Sequence, residues 1–179
     1  MSQTIRVERL LRESVETPYC DLVTRSTGRA VRCSIQAALA ETEEARVALL
    51  DFSDVGLVDL SCADEIIAKL LLDPPEQIYL ILVGLREEQL EAIEHVLQHH
   101  DLAALVTDPS GGATFPVGRV SADLRNVFFT LQSVGTATAQ MLAELMGWPV
   151  SRAAEELENL RRLRLVRVAD GGYTVPLTA

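Results

Sequence analysis

Two hydrophobic rhythms alternate along the chain. Val47, Ala48, Leu49 and Leu50 form an unbroken apolar run, and residues 77–83 form another around Ile78, Leu80, Ile81 and Leu82. Short runs of this kind suit strands covered on both faces. Between and around them apolar positions recur at helical spacing. Val31, Ile35, Ala38 and Leu39 follow Ser26-Thr27-Gly28, and Leu90, Ile93 and Leu97 lie within residues 86–100. The pattern predicts a first strand over 4–11, a second short strand over 20–25 and a helix from residue 26. A strand over 46–52, a helix over 61–72, a strand over 77–83, a helix over 86–100 and a strand over 102–107 follow. Asp73-Pro74-Pro75 stops the second of these helices, because proline cannot continue one. Alternation of this kind predicts an α/β fold with a mixed, partly parallel sheet and flanking helices.

The rhythm changes after residues 107–118, TDPSGGATFPVG, where Pro, Gly and small polar residues concentrate. Beyond it come three short amphipathic segments. The first carries Leu124, Val127, Phe128 and Leu131, the second Ala139, Leu142 and Leu145, and the third Ala154, Leu157 and Leu160. A hairpin over 165–175 is expected to turn at Asp170-Gly171-Gly172. This predicts one domain over 1–110, a linker over 111–118 and a second domain over 119–179. Trp148 is expected to pack at the turn between the second and third helices.

Charge divides the chain at the same place. The net charge of −10 arises from nine basic residues against twenty acids in 1–118, and seven Arg against six acids in 119–179. A half carrying −11 repels nucleic acid and suits a protein partner, so only the tail is suited to DNA. A hydrophobic fraction of 48% indicates a folded chain. No apolar run approaches membrane-span length, and no secretory segment opens the sequence; a cytoplasmic location is expected. Cys20, Cys33 and Cys62 lack metal-ligand spacing and read as small apolar fillers.

The stretch richest in candidate chemistry is RVALLDFSDVGLVDLSCADEIIAKLLL, residues 46–72. A core strand ends in Asp-Phe-Ser, an acidic loop follows, and Ser61, with Asp64 three residues on, is expected to cap the next helix. LLDFSDVGLVD resembles the strand and loop of the STAS domain, the fold of bacterial anti-sigma-factor antagonists. In that family an Asp is followed by two hydroxyl residues and Gly-Leu, and the second hydroxyl accepts a phosphate that switches partner binding. Asp59 matches the family Asp and Ser61 stands at the acceptor position. Leu60 replaces the first hydroxyl, and Cys62-Ala63 replaces Gly-Leu. S-C-A-D-E, with LVTRSTGRAVR upstream, is similar to a divergent STAS-like group found near histidine-kinase-type ATPase domains.

That resemblance implies a partner surface of Asp54, Asp59, Ser61, Asp64 and Glu65, facing a histidine-kinase-type ATPase or an anti-sigma-like protein. Read from the residues alone, Ser61 is either a phosphoacceptor or an N-cap accepting the Ala63 or Asp64 amide. A phosphate there would meet a favourable helix dipole and an unfavourable acidic surround. Asp51, Asp54, Asp59, Asp64 and Glu65 have the hard oxygens that Mg²⁺ takes, but acids at strand ends and helix starts are expected as a solvated rim. His95 and His99, four apart, lack a third ligand and are expected on the solvent face. No nucleophile–base set, glycine-rich phosphate loop or Cys-x-x-Cys occurs, so neither catalysis nor a cofactor is expected.

TATAQMLAELMGWPVSRAAEELENLRRLRLVRVADGGYTVPL resembles the winged helix-turn-helix domain of bacterial transcriptional regulators. The resemblance implies a recognition helix over 150–163. Ser151 and Arg152 would lie near base edges, and Arg161, Arg162, Arg164 and Arg167 near phosphates, whereas Glu155, Glu156 and Glu158 oppose DNA. DNA contact and protein interaction both stay open for this domain. Taken together, the two resemblances imply a regulator that receives a signal by partner switching and passes it to transcription. An adaptor or homodimeric scaffold without DNA binding is the alternative.

Overall fold

The computed structural model of the chain describes residues 2–41, 47–75, 78–108 and 112–176. Its described residues group into two compact units, one up to Gly118 and one from Arg119 onward.

The first unit is an α/β layer built on a five-stranded mixed sheet. Its strands are β1 (Ser2–Arg6), β2 (Val47–Asp51), β3 (Tyr79–Val83), β4 (Ala103–Thr107) and β5 (Thr114–Gly118), in that spatial order. β1 to β4 run parallel, and β5 returns antiparallel to β4. The crossovers carry α1 (Val7–Val15) with α2 (Arg25–Ala40), then α3 (residues 60–72), then α4 (Glu87–His99). Val31 and Ile35 of α2, Ile66 and Leu70 of α3, and Ile93 and Leu97 of α4 close a single core over Leu50, Leu82 and Val106 of the sheet. Burial of this kind contributes about 25 cal/mol per Å² of apolar surface, which fixes the helices against the sheet.

Three expectations are corrected here. The strand expected over 4–11 ends at Arg6, because Val7, Leu10 and Leu11 have helical spacing; Val7 and Leu11 are buried. Exposed Arg9–Glu13 and Glu8–Arg12 pairs support that helix on its outer side. The strand expected over 20–25 shrinks to one parallel bridge, Leu22 with Val58. The linker expected over 111–118 is instead the far arm of a hairpin, with Thr114–Gly118 paired along β4 from Thr107 to Ala103. Pro116 is accommodated because β5 is an edge strand. Gly118 is required at its end: with φ +95°, a Cβ there would lie 2.5 Å from the Leu102 carbonyl. The boundary between units therefore falls after Gly118, and the expected domain end at 110 lies outside the described residues. Residues 46, 76–77 and 109–111, which the expected strands and linker also touch, lie outside the described residues.

The second unit holds α5 (Ala122–Val134), α6 (Ala139–Met146) and α7 (Val150–Arg162). A three-stranded antiparallel sheet of β6 (Thr136–Ala137), β8 (Gly172–Thr174) and β7 (Arg167–Ala169) accompanies them, in that order. Ser121 and Thr138 cap α5 and α6 by accepting the Leu124 and Met141 amides. Asp170 (φ 51°) and Gly171 (φ 77°) make the tight turn between β7 and β8. Leu145 and Ala154, expected inside, are exposed; Leu142, Ala153, Leu157 and Leu160 form the core instead. Among the described residues, no helix is long and apolar enough to cross a membrane.

Candidate partner-binding site

The site lies at the C-terminal end of β2, where parallel sheets usually present their ligands. Asp51 closes the strand and turns its carboxylate back, accepting the Ser53 amide at 2.9 Å and the Ser53 hydroxyl at 2.6 Å. Phe52 is buried, and the loop after it is held from both sides. Buried Gln89 donates to the Val55 and Gly56 carbonyls at 2.9 and 2.6 Å, and Arg86 donates to Gly56 at 2.7 Å. On the other side the Gly56 amide donates to the Cys20 carbonyl, Leu22 to Leu57, and Asp59 to Leu22. A loop fixed at this many points presents Leu57 outward, and the first turn of α3 presents Leu60, at 61% and 51% exposure.

Asp59, not Ser61, caps α3. Its Oδ1 accepts the Cys62 amide at 2.7 Å and the Ser61 hydroxyl at 2.8 Å, while Oδ2 accepts the Thr24 amide at 3.0 Å. The expected Ser61 cap is thus corrected: the cap lies two residues earlier, and Ser61 donates instead of accepting. Burial pushes the Asp59 carboxyl upward, but the Cys62 and Thr24 amides and the Ser61 hydroxyl outweigh it and hold the group below the ordinary range. Thr24 reaches this position with φ 72° and ψ 143°, a region costly for a β-branched residue. The Cys62 thiol fixes it further by donating to the Thr24 carbonyl at 3.0 Å. Burial first, then neighbouring Asp59, push that thiol up to about 12, so while buried it stays a neutral donor.

One turn on, α3 widens. Leu60–Ala63 is α-helical, Asp64–Ala68 is a π turn, and Lys69–Leu72 is α-helical again. The π turn carries both acids toward α2. Asp64 pairs with Arg25 at 2.8 Å and with His100 at 2.7 Å. Glu65 is fully buried and takes Arg25 at 3.0 Å and Lys69 at 2.5 Å on Oε1, with Arg32 at 3.5 Å from Oε2. Burial raises both carboxyls, and the hydrogen bonds from Arg25 and His100 to Asp64, and from Lys69 and Arg25 to Glu65, bring them below their ordinary range.

The expected partner residues thus divide by depth. Asp54 is exposed, Asp59, Ser61 and Asp64 are half-buried, and Glu65 is fully buried. Glu65 is corrected from a partner contact to an internal counter-charge. Among the described residues, no group of three or more His, Cys, Asp or Glu is placed to hold a metal ion. The reason is visible in the acids: Asp51 turns to Ser53, Asp59 to amides, and Asp64 and Glu65 to cations. His95 and His99 are exposed. Reading along the sequence missed Arg25, Arg32, Lys69, His100 and Gln89. Glu65–Lys69 is an i,i+4 pair visible in the sequence, and Arg25, Gly28 and Arg32 share one face of α2, but nothing local says the two faces meet.

In the second unit Ser151 is exposed. Arg152 lies 4.0 Å over the Trp148 ring and 2.6 Å from Asp123. Half-buried Trp148 is therefore a stacking platform for Arg152. Arg161 holds Glu158 with two hydrogen bonds, 2.8 and 2.6 Å, and Arg162 lies 3.5 Å from the same carboxylate. Arg164, with φ 58°, and Arg167 on β7 are half-buried. No protein-family model and no curated protein matches the chain.

Proposed function

We propose that the chain is a non-catalytic cytoplasmic bacterial regulator. In this reading the first unit is a STAS-like partner-switching module and the second a winged-helix output in transcription regulation. The observation that carries it is Ser61: a half-buried hydroxyl bonded to Asp59 at the start of α3, beside exposed Leu57 and Leu60. Two exposed leucines, one on a well-tied loop and one on the first turn of α3, suit the apolar centre of a protein contact. The acids beside them make the same surface sensitive to added negative charge. The partner would be a histidine-kinase-type ATPase or an anti-sigma-like protein.

Ser61→Asp is expected to abolish recovery of that partner from host lysate, and Ser61→Ala to leave it largely intact. Wild type, and not Ser61→Ala, should take label from radioactive nucleoside triphosphate in the same lysate. Equal recovery of the partner by wild type and Ser61→Asp would count against a switch at this residue.

A specific observation favours a second reading, a protein-interaction adaptor without DNA binding. Arg152, Arg161 and Arg162 already face carboxylates of their own unit, while Met141, Leu145 and Val150 stand exposed on α6 and α7. If the second unit binds duplex, residues 119–179 should bind a labelled promoter fragment with affinity that falls steeply as salt rises. Arg164→Ala with Arg167→Ala should then flatten the slope by roughly two phosphate contacts. No binding even at low salt would put the adaptor ahead.

A further inference from the structure

Ser61 and Arg25 are connected by two short routes. Ser61 Oγ donates to Asp59 Oδ1 at 2.8 Å, and Asp59 Oδ2 holds the amide of Thr24, the residue before Arg25. Along α3, Asp64 lies three residues beyond Ser61, close to its face of the helix, and its carboxylate holds the Arg25 guanidinium at 2.8 Å. Arg25 also reaches inward to Glu65 at 3.0 Å, yet half of its side chain is exposed. It is the one member of the α2–α3 ion cluster bonded to both acids, and it sits at the rim. Lys69 lies two turns farther along α3, and Arg32 two turns deeper along α2.

We propose that Arg25 reads the charge on Ser61: a phosphate there draws the guanidinium away from Asp64 and Glu65 and loosens the seam between α2 and α3. The inference rests on the switch reading of Ser61 given above. Transfer of the terminal phosphoryl group of a nucleoside triphosphate held by the partner forms the Oγ–P bond and breaks the P–O bond to the departing diphosphate. The hydroxyl proton has an acceptor in place in Asp59 Oδ1. The product is a group of charge about −1.5 to −2 set beside Asp59 and Asp64, which needs a counter-ion, and a guanidinium fits phosphate in bidentate fashion. Once Arg25 leaves, Glu65 keeps only Lys69 at hydrogen-bond distance, with Arg32 at 3.5 Å. The seam it held is very close: a Cβ at Gly28 would lie 2.9 Å from Glu65 Cβ and 3.0 Å from Cys62 Cα. Contact this tight has no slack, so loss of one tie is felt along the helix pair.

The test uses the full chain with phosphoserine installed at position 61 during translation, so that it does not depend on any host kinase. Phosphorus NMR follows titration of the phosphate. The charged groups around it are Asp59, Asp64, Glu65 and Lys69 on α3, Arg25 and Arg32 on α2, and His100 at the end of α4. With Arg25 present the second ionisation should fall below the ordinary value near 6 by about 1 unit. Arg25→Gln should return it to that value or above, and Arg25→Lys should keep part of the shift. Reactivity of buried Cys62 toward a thiol reagent, in a Cys20→Ser, Cys33→Ser background, reports the seam. It should rise on phosphorylation, and equally in unphosphorylated Arg25→Gln. Identical phosphate titrations with Arg25 in place and in the Arg25→Gln chain would overturn the proposal, as would Cys62 reactivity indifferent to the phosphate. Failure of host lysate to label Ser61 would instead sink the switch reading alone.

Discussion

Gly28→Val is expected to unfold the first unit or bring it close to unfolding, at a cost of about 3 kcal/mol. The cause is backbone proximity. α2 and the first turns of α3 approach so closely at Gly28 that even a methyl group would sit 2.9 Å from Glu65 Cβ and 3.0 Å from Cys62 Cα. One of these contacts is main chain and cannot rotate away. Separating the helices by a few tenths of an ångström would stretch the Cys62 thiol bond to Thr24 and the Thr24 amide bond to Asp59, both at 3.0 Å. Ala in place of Gly28 gains about 1 kcal/mol of helix propensity, which offsets part of the clash, so the alanine variant should fall between wild type and valine. Val adds two methyl groups and loses that gain. Urea titration of the three proteins gives the order directly. A valine variant within about 0.5 kcal/mol of wild type, the range of an ordinary surface substitution, would mean that the helices do not approach as described.

Where the sequence was legible, strong local signals carried it. The apolar runs of β2 and β3 and the Asp73-Pro74-Pro75 stop needed nothing from elsewhere in the chain. Ser61 misled because it fits the local capping pattern with Asp64. The cap falls instead to Asp59, whose second oxygen takes an amide from Thr24, 35 residues earlier. The π turn was invisible, since Asp-Glu-Ile-Ile-Ala is an ordinary helical sequence. The stretch over 107–118 has the composition of a linker and of a hairpin loop alike. Pairing with β4, a fact of the sheet, decided between them. Arg25 was missed for the same reason as the cap: its partners lie 39 and 40 residues away.

Glu65→Ala should destabilise the first unit by about 2 kcal/mol at neutral pH and make its stability less dependent on acid. A fully buried carboxylate that loses its side chain leaves its cations facing one another. The size follows from how far each can escape: the Arg25 and Lys69 side chains are 52% and 40% exposed and can turn to water, while Arg32, at 20%, cannot. The penalty therefore sits below the roughly 3–5 kcal/mol of a wholly enclosed pair. Asp59, Asp64 and Glu65 all have carboxyls held below their ordinary range in the folded chain. The unfolded chain then binds protons more readily than the folded one. Their contribution is fully present above the unfolded values and is lost as pH falls through the lower folded ones, so wild type should weaken progressively below about pH 5. Glu65→Gln, which keeps shape and removes the titration, should show a shallower loss over the same window, read from urea midpoints between about pH 6 and pH 3. A Gln variant as acid-labile as wild type would assign that lability to Asp59 and Asp64 and leave Glu65 no share in it.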